Sequence, residues 1–132
     1  WKSVRIVIYR IVSSIFKAEG GASGKWKPLT PAYAKVKLRK WGNQPILTAS
    51  GTLYRSLTQE RAEGSTFTES AQEMEVGTTI KYAGYHQTGT NKIPARPILD
   101  FTDAQEGQLM KPIQDKLVQL IGNAKLRSLR QG

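Results

Sequence analysis

The chain has 132 residues, 39% hydrophobic and 23% charged, which fits one globular domain with enough apolar material for a core and excludes a disordered or membrane class. It has no cysteine, so disulfides and thiolate metal sites are excluded and nothing favours an oxidising compartment. The net charge of +10 is uneven: residues 1–55 carry 11 Lys or Arg and one acid, Glu19, whereas residues 56–132 carry nine of each. A basic half suits nucleic acid or an acidic protein face, the plainer alternative being a solvated surface with no specific partner.

Residues 4–16, VRIVIYRIVSSIF, superficially resemble a signal or membrane segment. Arg5 and Arg10 interrupt the apolar run, which falls far short of the ~20 residues that span a bilayer, so no targeting signal is read there. Val4, Val7, Ile8, Ile11, Val12 and Ile15 instead follow helical spacing, with Lys2, Arg10, Ser13 and Lys17 on the other side. Ile6 and Tyr9 point away from the stripe and suggest a second neighbour. The many β-branched residues make a strand the alternative.

Gly20 to Gly24 end this helix and open an irregular stretch. Thr30-Pro31 is a helix start, Thr as N-cap and Pro at the first helical position, and the helix runs to Trp41 before Gly42. Residues 43–50, with Pro45 inside, read as loop. Residues 51–57 read as a helical turn. Alternation predicts two antiparallel strands over 65–70 and 73–79, with a turn at 70–72, and a third strand over 98–101. The last element is a long helix on Leu109, Ile113, Leu117, Leu120, Ile121 and Ala124. Thr102 and Gln105 form its capping box; Asp103 and Glu106 suit its positive end, and Lys125, Arg127 and Arg130 its negative end. Pro112 must start or kink it. The expected fold is α+β: an antiparallel sheet of about three to five strands packed against the long C-terminal helix and the N-terminal amphipathic helix, with a long, partly irregular insertion over 20–50.

Catalysis fails on inventory. His86 is the sole histidine, and no Ser sits in a nucleophile elbow. No His, Cys or carboxylate cluster has metal-ligand spacing. GASGK at 21–25 echoes a phosphate loop, but Glu19 and Trp26 stand where Gly and Ser/Thr are required. We therefore expect no catalytic residue, no cofactor and no metal. Lys35, Lys37, Arg39 and Lys40, with Tyr33 and Trp41, could hold phosphates and stack on bases. A small basic nucleic-acid-binding protein using its N-terminal half is the alternative reading. The same aromatics fit equally well as core anchors, since Trp41 shares a helix face with Ala34 and Leu38.

Four blocks carry a resemblance: GKWKPLTP at 24–31; Ile46-Leu47 with SGTLYRSL at 50–57; Gly77-Thr78, Tyr82-Ala83 and His86-Gln87 with Gly89; and IPARPIL at 93–99. In order and spacing, over about residues 15–125, they resemble the phage virion morphogenesis family, the tail-completion and neck proteins of tailed bacteriophages. Ile98 and Asp100 stand where family members often have Phe and Gly.

The resemblance implies a structural virion protein, not an enzyme. It would form a homo-oligomeric ring of roughly six subunits, with about twelve as the alternative. The ring would sit at the head–tail junction as neck or tail terminator, after assembly in the host cytoplasm. Its neighbours would be head-completion or neck proteins, tail-tube proteins and DNA in the channel, with no membrane involved. The matching residues are Trp26, Pro28, Leu29, Gly51, Leu53, Ser56, Tyr82, Ala83, His86, Gly89, Pro94, Ala95, Arg96 and Pro97, expected to serve structure or an interface. Tyr82 and Tyr85 would anchor a turn against the sheet, and Ala83 and Gly84 would allow close backbone approach. His86 would hydrogen-bond through both ring nitrogens, and Gly89 would supply a turn. Pro94 and Pro97 would hold Arg96 extended as a fork for a carboxylate. Residues 20–50 would reach a neighbouring subunit, so deleting 20–28 would leave a folded monomer.

Overall fold

The structure, a computed structural model, describes residues 1–44, 46–48 and 50–131, with side chains through residue 123. Pro45 and the side chains of Ala124, Lys125, Arg127 and Arg130 lie outside the described residues.

Helix α1 spans Lys2–Ala18. Most of its stripe is buried, with Val4, Ile11, Val12 and Ile15 at 3% exposure or less and Phe16 beside them, while Val7 and Ile8 are half-buried against the core. Each fully buried side chain contributes roughly 1.5–3 kcal/mol. Ile6 faces outward. The helix ends at Glu19, not at the glycines. Glu19 takes the left-handed conformation, φ 56°, and its carboxylate accepts from the Ile46 N–H at 3.1 Å. Arg5 is no mere interruption of the apolar run. It is buried, pairs with Glu60 at 3.0 Å and lies over the Phe67 ring at 4.6 Å.

The stretch read as irregular contains a hairpin, β1 (Gly20–Gly21) with β2 (Gly24–Lys25). Its turn is held from outside: the Asp100 carboxylate accepts from the Ser23 N–H and hydroxyl, and the Asp100 carbonyl accepts from the Ala22 N–H. Helix α2 is Pro31–Trp41, capped by the Thr30 side chain. Helix α3 is Thr52–Thr58, and β3 (Ser65–Glu69) pairs antiparallel with β4 (Met74–Thr78). A short helix α4, Ala83–Thr88, replaces the expected turn. Helix α5 is Asp103–Gln131, and Pro112 lies inside it. Its capping box forms, Gln105 Oε1 accepting from the Thr102 N–H and Thr102 Oγ1 from the Gln105 N–H.

The fold is α+β, but among the described residues the β-structure is two separate two-stranded sheets. Residues 98–101 form no strand, because a side chain takes the place of a partner strand there. Gln87 Oε1 accepts from the Ile98 and Leu99 N–H groups, and Gln87 Nε2 donates to the Leu99 carbonyl. The β3–β4 sheet packs on α3, α3 packs on α1, and α1 packs on α5. The core joins Ile11, Val12, Ile15 and Phe16 to Trp26, Leu53, Leu57 and Ile98. Phe16 meets Trp26 and Tyr54 edge-on, with ring centroids 5.6 and 5.3 Å apart. No helix among the described residues is long and apolar enough to cross a membrane.

Candidate functional site

The four sequence blocks converge beside the core. Trp26 is buried, and its Nε1 donates to the Pro97 carbonyl at 2.8 Å, which ties the first block to the fourth. Arg96, 6% exposed, ties them again: Nε donates to the Lys27 carbonyl at 2.8 Å and a terminal nitrogen to the Pro28 carbonyl at 3.2 Å. The Arg96 backbone N–H donates to the His86 carbonyl, linking the third block to the fourth. Ser56 is fully buried; its hydroxyl donates to the Leu53 carbonyl and is hydrogen-bonded to Thr78 Oγ1, linking the second block to the third.

Two glycines are required by geometry. Gly51 precedes α3 with φ 81°, and Gly89 ends α4 with φ 76°, where a Cβ would lie 2.8 Å from the Ala95 nitrogen. Gly84 has open space about it, so no close approach explains that residue. Ala83 packs at the edge of the core, and Ala95 is exposed.

A cavity of about 540 Å³ opens at this convergence. Leu29, Leu53 and Pro94 line it with Tyr33, Tyr82 and His86, and its charged residues are Lys37, Lys92 and Arg96. Tyr82 is 43% exposed and meets the His86 ring edge-on, so it flanks the cavity and does not anchor a turn to a sheet. Tyr85 is exposed as well. His86 does not use both ring nitrogens: Nδ1 is buried with no partner among the described residues. Burial first, and the Arg96 guanidinium second, hold His86 below the usual imidazole value of 6.5. Burial also lowers Arg96, with Tyr33 opposing. Arg96 grips two backbone carbonyls within the chain, where a carboxylate was expected.

The basic cluster on α2 is divided. Lys37 is buried, and its Nζ donates to the Gln44 carbonyl at 3.0 Å. Burial lowers its pKa, with Glu19 opposing and Arg96 adding to the fall. Lys40 lies one turn on from Lys37, its ammonium 5.1 Å from the Trp41 ring centroid, whereas helical spacing turns Lys35 and Arg39 away from Lys37. The α2 aromatics are not core anchors, since Tyr33 is 51% and Trp41 39% exposed, and Leu38 beside them is exposed as well. Residues 20–28 are not a free arm either, because they carry the buried Trp26 and the carbonyls that Arg96 holds. Gln87 stands in the third block, but nothing in the sequence gives it the bonding role seen here, and Lys92 has no spacing signal that would expose it.

Residues 6–118 match the phage virion morphogenesis family. The chain belongs to that family. Membership places it among the structural and assembly proteins of phage virions. Comparison with curated proteins and with solved structures gives no significant match. Among the described residues no three His, Asp or Glu side chains gather as metal ligands.

Proposed function

We propose that this family member assembles as a homo-oligomeric ring at the head–tail junction of a tailed phage, as a neck or tail-completion component, and acts by protein contact without catalysis. The observation that carries the reading is uncovered apolar surface on α5. Met110, Ile113, Leu117, Val118 and Ile121 are 39–69% exposed. A contiguous apolar face of this kind marks an interaction surface. Head-completion, neck and tail-tube proteins are the neighbours such a ring would touch, and the exposed Lys35 and Arg39 suit DNA in the channel or an acidic protein face.

Light scattering after size exclusion, with negative-stain microscopy, tests this. The expected result is a mass several times the 14.7 kDa of one chain, in ring-shaped particles. A monomer whose DNA affinity falls steeply with salt would overturn it in favour of a nucleic-acid-binding protein.

A further inference from the structure

We propose that the cavity beside α2 receives the acidic turn of the β3–β4 hairpin from a second copy of the chain, forming the head-to-tail contact of the assembly. The inference rests on the ring reading, and it specifies which two surfaces meet.

The cavity has the chemistry of an anion acceptor. Its charged lining residues are Lys37, Lys92 and Arg96, and no Asp or Glu lines it; Lys37 and Arg96 donate to neutral backbone carbonyls, Lys92 is exposed, and Lys40 lies one turn along α2 from Lys37. Leu29, Leu53 and Pro94 supply apolar wall, so the occupant is a chain segment with small or apolar groups beside its acids, not a bare ion.

The hairpin has the complementary chemistry. Its turn reads ESAQE over 69–73, with Glu69 and Glu73 flanking Ser70, Ala71 and Gln72. The Trp1 indole donates to the Ser70 carbonyl at 2.6 Å and Gln72 borders the hollow on α5, which fixes the turn's position; its residues remain exposed, and neither carboxylate forms an ion pair among the described residues. A short turn with a carboxylate at each shoulder matches a cavity with cations about an apolar wall. The two surfaces differ within one chain, as a heterologous contact that closes by rotation requires. Desolvated opposite charges also fix register and reject mismatched faces.

Charge exchange tests the pairing. Lys40→Glu/Lys92→Glu and Glu69→Lys/Glu73→Lys change exposed residues only, so both chains should keep the wild-type circular dichroism and melting. Each pair alone should shift the scattering mass to the 14.7 kDa monomer, and the chain carrying all four substitutions should regain the wild-type mass. A wild-type oligomer that either pair leaves intact overturns the contact while leaving the ring. A four-substitution chain that stays monomeric overturns the direct pairing. A monomeric wild type overturns both readings.

Discussion

Arg96 shows how a cation can act as a structural fastener. Its guanidinium closes the loop of residues 27–28 onto residues 86–97 by donating to two carbonyls that have no strand to satisfy them. Arg96→Ala would strand both acceptors and should cost roughly 2–4 kcal/mol in urea unfolding, with Arg96→Lys falling between because a single ammonium cannot fork. An Arg96→Ala chain of wild-type stability would refute that role. His86 carries a pH signature. Its folded pKa lies below 6.5, so the unfolded chain binds the extra proton more readily. The stabilising contribution is complete above pH 6.5 and is lost as pH falls through the depressed folded value. Stability should therefore drop on acidification from pH 7, and His86→Gln should flatten that part of the profile. Equal slopes in both chains would remove the assignment.

Helix α2 has the caps of a stable helix and little of the packing. Thr30 accepts from the Tyr33 N–H, Pro31 fixes the first turn, and Lys37 is its one buried residue. Its amides should exchange far faster than those of α1 in the dissociated chain and gain protection on assembly. Thr30→Ala should remove about 1 kcal/mol of helix stability. That loss should appear in α2 exchange and leave global melting unchanged; α2 amides as slow as those of α1 in the monomer would contradict this. Both caps were readable because each is a short-range bond between neighbouring residues, Thr30 with Tyr33 and Thr102 with Gln105. The Gly20–Lys25 hairpin was not, since its support comes from Asp100, far along the chain. Nor was the Gln87 side chain standing in for a strand beside Ile98 and Leu99. The signature blocks could be found from sequence, but the role of Arg96 depends on which carbonyls the fold brings to it.

At the scale of the molecule, α5 is the element that one chain leaves unfinished. Its periodic stripe predicts burial, and α1 covers the helix only in part. Ile113, Leu117 and Ile121 recur on one side, 39–59% exposed, and with Trp1 and Leu120 they border a shallow hollow of about 450 Å³. A stable contact between chains removes about 800 Å² from each partner, and a helical face of this length can supply much of that. In the proposed ring the amphipathic pattern would be satisfied between subunits, which helical periodicity alone does not distinguish from burial within one chain. Leu117→Asp/Ile121→Asp removes no core side chain, so the monomer should keep its helical circular dichroism and lose at most about 0.5 kcal/mol. Two carboxylates in an apolar contact would be left desolvated and unpaired, a cost of several kcal/mol per interface. The variant should therefore sediment at 14.7 kDa at concentrations where the wild type is assembled. If it sediments with the wild type, α5 does not close the assembly, and its apolar side must face something other than a copy of this chain.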